Sequence, residues 1–198
     1  CHDYNLIFLE DSAQSLGCRI NGKSLGTFGE IGCFSLSTPK IISTGQGGFV
    51  VTNNDELAEQ MRMIKNYGRK ESGKDDFINI GLKFKINDLQ AVIGIEQMKK
   101  MDYRVNRMRE IYNIYYKYLK NYVKIIEPLS NEWIPWFVDI YVEDRDKLSL
   151  FLKKHNISTR NVYGEINKSN IYYSDDEYPN SKYVCSNGIF LPSYITLT

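Results

Sequence analysis

The chain has 198 residues, a formal net charge of +1, and 25% charged against 42% hydrophobic residues, an ordinary composition for a globular protein large enough to bury a core. Acidic and basic residues balance along the whole length, which argues against a polyanion partner, and no apolar stretch approaches the roughly 18 residues of a membrane span. Four cysteines without CxxC spacing and two histidines argue against a metal site or a disulfide framework, so reduced, mostly buried thiols in a cytoplasmic protein are expected.

The first residues lack a basic lead, and Glu10-Asp11 interrupts their apolar run, so no signal-peptide pattern is read there. The chain opens on Cys1 and closes on Leu191-Pro192-Ser193-Tyr194-Ile195-Thr196-Leu197-Thr198; it reads as a piece of something longer. Asn5 to Glu10 is a nearly continuous apolar run, which predicts a strand buried on both faces of a parallel sheet. It ends in Asp11-Ser12-Ala13-Gln14, so polar side chains stand at the carboxyl end of that strand, where open α/β sheets bind ligands. Gly17 to Gly32 is glycine-rich and predicts loop with short strand pieces. Cys33 to Leu36 is a second strand, followed by Ser37-Thr38-Pro39-Lys40, where Pro39 excludes regular pairing. Beyond Thr44-Gly45-Gln46-Gly47-Gly48, Phe49 to Thr52 forms a third strand.

Asn53 and Glu56 suggest a capping box for a helix carrying Leu57, Met61 and Ile64 and stopping near Tyr67-Gly68. Arg69 to Ile80 reads as loop. Met98, Met101, Val105, Met108, Tyr112, Tyr115 and Leu119 recur at alternating steps of three and four, which predicts one long helix over 88–120 with an apolar seam for core or subunit contact. After Pro128, a strand over 136–142, a helix over 144–155 with Leu148, Phe151 and Leu152 on one face, and a strand over 157–162 make a βαβ-like unit. That unit reads as a second, smaller α/β domain joined by the long helix, and Asn167 to Asn187 reads as Tyr- and Asp-rich loop.

Asp11, Gln14, Ser35 and Lys40 would meet if their strands are neighbours in one sheet. An acid, an amide, a hydroxyl and an amine are the set that pyridoxal 5'-phosphate (PLP) requires: a lysine for the Schiff base, an acid opposite the pyridinium nitrogen, and donors for the phosphate. A strand-ending Asp is more commonly a turn residue, however, and Gly45-Gln46-Gly47-Gly48 lacks the pattern of a nucleotide loop.

Glu10-Asp11-Ser12-Ala13-Gln14-Ser15-Leu16-Gly17, Gly32-Cys33-Phe34-Ser35-Leu36-Ser37-Thr38-Pro39-Lys40 and Thr44-Gly45-Gln46-Gly47-Gly48 together resemble the DegT/DnrJ/EryC1/StrS family of PLP-dependent nucleotide-sugar aminotransferases. The likeness continues through Asn66-Tyr67-Gly68-Arg69, Asn87-Asp88-Leu89-Gln90-Ala91, Gly94 and Gln97 to Leu191-Pro192. The resemblance implies an α/β fold: residues 1–100 as the C-terminal half of an aspartate-aminotransferase-like (type I PLP transferase) large domain, and 101–198 as the connecting helix and an incomplete small C-terminal domain. It implies that Lys40 carries PLP and shuttles the proton, that Asp11 pairs with the pyridine nitrogen, that Gln14 lies beside the ring, and that Ser35 contacts the phosphate. It further implies amination of a nucleotide-linked keto sugar, glutamate as the donor, a homodimeric parent, and a place in surface polysaccharide or glycosylated-product synthesis.

Related dehydratases carry a histidine where this chain has Lys40, so the lysine favours transamination over the alternative of a PLP-dependent sugar dehydratase. A second alternative is a non-catalytic remnant, since the family's earlier region, with another phosphate-binding loop and a ring-stacking aromatic, has no counterpart here. Leu36-Ser37, Lys83 and Lys85 depart from the family's usual residues.

Overall fold

The computed structural model describes residues 1–128 and 130–197. They form two compact units, Cys1–Val105 with Glu132–Ile134, and Asn106–Asn131 with Pro135–Thr198.

The first unit is built on β1 (Leu9–Asp11), the short hairpin β2 (Arg19–Ile20) and β3 (Lys23–Ser24), β4 (Ile31–Ser35) and β5 (Gly48–Val51). Strand β4 is central in the three-stranded sheet β1-β4-β5, parallel to β1 and antiparallel to β5. Only Leu9 and Glu10 of the first apolar run join the sheet, and Leu6, Ile7, Phe8 and Leu9 are all exposed. The doubly buried strand expected over Asn5 to Glu10 is therefore corrected: the run is apolar but uncovered. The hairpin bears out the expected strand pieces between Gly17 and Gly32.

Helix α1 (Asp55–Ile64) is capped by Asn54, whose side chain accepts from the Leu57 amide, rather than by Asn53. It stops because Tyr67 (φ 61°) and Gly68 (φ 76°) are left-handed, a conformation that ends an α-helix. The capping box lies at α2 (Asp88–Met98), between Asn87 and Gln90. The expected single long helix is two helices. The Lys100 amide bonds Gln97 three residues back, and α3 (Met101–Leu119) starts afresh. No Gly or Pro marks this break. Seam residues Met108 and Tyr112 are buried as expected, joined by Ile111, whereas Met98 is exposed.

The second unit contains β6 (Lys124–Ile125), β7 (Val138–Tyr141), α4 (Arg145–Lys154), β8 (Arg160–Asn161), α5 (Pro179–Asn187) and β9 (Gly188–Leu191). Its sheet order is β6-β7-β9-β8, every neighbour antiparallel. Strands β7 and β8 thus run parallel with β9 between them, a split βαβ arrangement. Val138, Ile140, Ile189 and Leu191 bury their side chains in this sheet. Helix α5 lies where loop was expected; its turns are polar, and Pro179 at the first position is its chief local signal. Phe151 of α4 is exposed rather than on the buried face. Of the thiols, only Cys18 is buried, its Sγ donating to the Ile134 carbonyl at 3.7 Å; Cys1 and Cys33 are exposed and Cys185 is partly covered.

Candidate active site

The site grows from the carboxyl ends of two parallel strands. Asp11 ends β1 and pairs in register with Cys33 of β4, and Ser35 lies two residues further along β4. Side chains of paired strand positions share a face, as do residues two apart, so Asp11 and Ser35 stand on one side of the sheet. Asp11 Oδ1 accepts the Ala13 amide at 3.1 Å, an Asx-type turn that fixes the carboxylate as the chain leaves the strand.

Lys40 sits on the loop from Leu36 to Gly47, which the β4–β5 pair closes at its base. The Leu36 amide bonds the Gly47 carbonyl at 2.9 Å, and the Thr44 amide bonds Leu36 at 2.9 Å. Inside the loop, the Lys40 amide turns back to Ser37 at 3.0 Å, Thr38 Oγ1 donates to Gly45, and Ser43 Oγ donates to Leu36. Ile42, 1% exposed, plugs the loop into the unit's core. Two helices also reach the loop: Gln90 Nε2 donates to the Gln46 carbonyl at 2.9 Å, and Arg104 Nη1 to the Ile41 carbonyl at 3.0 Å. Gly47 has φ 131°, a backbone that a side chain rarely adopts.

The Lys40 amine is half-buried. Desolvation draws its pKa below the ordinary 10.5, while the Asp11 carboxylate pulls it back up. The two groups are therefore within electrostatic reach of each other. Ser35 Oγ donates to Ser37 Oγ at 3.1 Å and accepts the Ser37 amide at 3.2 Å, so two hydroxyls cluster where β4 ends. Gln14 lies in the exposed turn beyond β1, and its side chain makes no hydrogen bond among the described residues. Asp11, Ser35 and Lys40 thus gather around one strand-end region, while Gln14 stands at its edge. Lys83 is exposed and forms a backbone bridge with Asn66; Lys85 Nζ bonds Ser72 Oγ at 3.1 Å.

Sequence reasoning missed two supports of this region. Glu10 takes the amides of Gly26, Phe28 and Gly29 at 2.7, 2.5 and 2.7 Å, tying down the loop that crosses β4. Burial tends to raise its pKa, but those amides together with Lys23 outweigh it and hold the carboxyl low. Arg104 is the other; nothing in its local sequence separates it from a solvated helix arginine.

A lysine on a closed loop thus lies within electrostatic reach of an acid at the end of a parallel strand. The chain matches the DegT/DnrJ/EryC1/StrS aminotransferase family over residues 1–198 and belongs to it. It is 31% identical over 199 residues to GDP-perosamine synthase of Escherichia coli O157:H7, covering 98% of this chain and 55% of that enzyme. Among solved structures, a family aminotransferase from Brucella abortus superposes with TM-score 0.91 at 26% identity, over all of this chain and 54% of that one. Helicobacter pylori PseC, an aminotransferase involved in the biosynthesis of pseudoaminic acid, superposes with TM-score 0.91 at 26% identity, over 100% and 57%. The fold is therefore the α/β fold of DegT-type aminotransferases, and the chain spans about half the length of the relatives it matches.

Proposed function

We propose that this chain is the lysine-bearing portion of a PLP-dependent aminotransferase acting on a nucleotide-linked keto sugar, with Lys40 as the cofactor lysine. The carrying observation is the placement of Asp11 and Ser35 on one face at the ends of the parallel strands β1 and β4, with Lys40 on the closed loop that leaves β4. The donor set fits PLP: an amine that desolvation keeps less basic, a carboxylate within reach, and the hydroxyls of Ser35 and Ser37 for a phosphate. On this reading the first hundred residues are the C-terminal half of the large domain, and residues 101–198 are the connecting helix and small domain.

PLP, when bound, supplies an electron sink for negative charge at the amine-bearing carbon. Lys40 must be unprotonated to condense with its aldehyde, and burial favours that state. Once displaced by an incoming amine, the same Nζ would be free to take a proton from the substrate carbon and return it. Asp11, steadied through Oδ1 by the Ala13 amide, would hold the proton on the pyridine nitrogen. Gln14, at the turn beyond β1, would stand beside the ring, and Ser35 would offer its hydroxyl to the phosphate.

The nucleotide-sugar substrate is inferred from the GDP-perosamine synthase relationship; glutamate as donor, a role in surface polysaccharide or glycosylated-product synthesis and a cytoplasmic setting follow the same family reading. A homodimer is supported by apolar residues left exposed in the first unit, among them Ile80, Phe84 and Leu89. No helix among the described residues is long and apolar enough to cross a membrane.

The test is chemical trapping. Adding PLP and then borohydride should attach a pyridoxyl group to Lys40, found by mass spectrometry, and Lys40→Ala should lose that modified peptide. Labelling spread over surface lysines, with Lys40 spared, would overturn the assignment.

A further inference from the structure

We propose that Arg104 is a positioning residue for Lys40, fixing the loop that carries it through the carbonyl of the next residue. Arg104 lies in the first turn of α3 and donates from Nη1 to the Ile41 carbonyl at 3.0 Å, across 63 residues of sequence. Its Nε is buried with no hydrogen-bond partner, and its guanidinium makes no ion pair among the described residues. Burying part of a guanidinium without full pairing is unfavourable, and an apolar side chain could fill the same volume without that cost. What arginine adds is a rigid planar donor, and its hydrogen bond goes to the Lys40 loop.

The point of attachment matters. On one side the Lys40 amide is turned back to Ser37, and on the other the Ile42 side chain is sealed in the core. The Ile41 carbonyl lies between these two fixed points, so pinning it fixes the Ile41–Ile42 peptide, one residue beyond Lys40. A lysine side chain has many rotamers; holding its backbone restricts where Nζ can sit relative to Asp11 and how far it withdraws from water. The Arg104 bond is to the loop backbone. It acts through the loop.

The catalytic consequence rests on the cofactor reading of Lys40, but the arrangement is measurable without PLP. In the 198-residue chain, the pH dependence of acetylation by acetic anhydride is followed at the Lys40 peptide, with exposed lysines as internal standards. In Arg104→Met the Lys40 profile should move towards that of exposed lysines, with its relative reactivity near pH 8 falling about threefold or more. Arg104→Lys, which keeps a charged donor, should recover at least part of that loss. If Arg104→Met fails to fold, judged by circular dichroism, Arg104→Gln takes its place with the same expectation. A Lys40 profile unchanged from the parent overturns the proposal, as does a change shared equally by all lysines, which would mean general loosening. Failure of the cofactor reading shows separately, as absent borohydride trapping at Lys40 in the parent.

Discussion

Lys40 and Glu10 are both partly withdrawn from water, and the difference in their partners gives opposite acid–base consequences. For Lys40, desolvation outweighs the Asp11 carboxylate and the folded pKa lies below 10.5. Below that folded value both states carry the proton and the folded state bears the cost of holding a charge away from water. Between the folded value and 10.5 the unfolded chain binds more protons, so stability rises with pH through that window. Thermal melts of the PLP-free parent and Lys40→Met from pH 7 to 10.5 should therefore show the parent gaining on the variant as pH increases; a constant or falling difference would refute the sign. Glu10 behaves in the reverse sense. Its folded carboxyl lies below 4.5 because three backbone amides and Lys23 overcome burial, so its contribution is complete above 4.5 and is lost as pH falls through the folded value. Glu10→Gln should cost about 1–2 kcal/mol in urea unfolding at pH 7, at the low end for charge-assisted bonds because the site is solvent-accessible. The cost should shrink as the pH is lowered towards 3.

At the scale of elements, the loop that Glu10 holds is pressed against β4 so closely that Gly32 admits no side chain. A Cβ there would stand 1.9 Å from the Gly26 carbonyl oxygen, a backbone atom that cannot swing aside. Gly32→Ala should destabilise by about 3 kcal/mol or more. Gly164, whose Cβ would meet nothing within 4 Å, should accept Ala within about 1 kcal/mol of neutral, on the stabilising side. Equal denaturation midpoints for the two variants would show that the crossing is looser than drawn. Such crossings are invisible in sequence, and so is much else that depends on distant neighbours. Helices α1, α2 and α4 are legible from caps and apolar spacing because those signals act within a few residues. The α2–α3 break is not, since Gln97 to Met101 contains only good helix formers. Helix α5 is hidden by polar turns, and β9, the strand between β7 and β8, is held by pairing with strands far along the chain. In the site, ordered motif blocks bring out Asp11, Ser35 and Lys40 together. Arg104 stays hidden because its partner is a backbone carbonyl far along the chain, which leaves no trace in residue type.

The two units are unequally supplied with core. The fully buried apolar side chains of the first, among the described residues, are Cys18, Ile42 and Ile134, whereas the second buries Met108, Ile111, Tyr112 and most inward residues of β7 and β9. The unit that carries the candidate site leaves a continuous apolar strip uncovered. Within it Ile78, Ile80, Leu82, Phe84 and Ile86 follow one another at every second position, and all are exposed. Alternation of this kind normally marks the covered face of an extended segment, and contiguous exposed apolar surface favours association. Charge does little to oppose it, because the net charge of +1 is close to zero at neutral pH. The 198-residue chain should therefore self-associate with rising concentration in sedimentation velocity at pH 7.5. Ile80 and Phe84, 88% and 65% exposed, have little core packing to lose, so Ile80→Lys with Phe84→Glu should weaken association at least tenfold while leaving the thermal midpoint nearly unchanged. A parent chain that stays monomeric at every concentration, or a double variant that associates as strongly as the parent, would mean that this strip is not the surface through which copies meet.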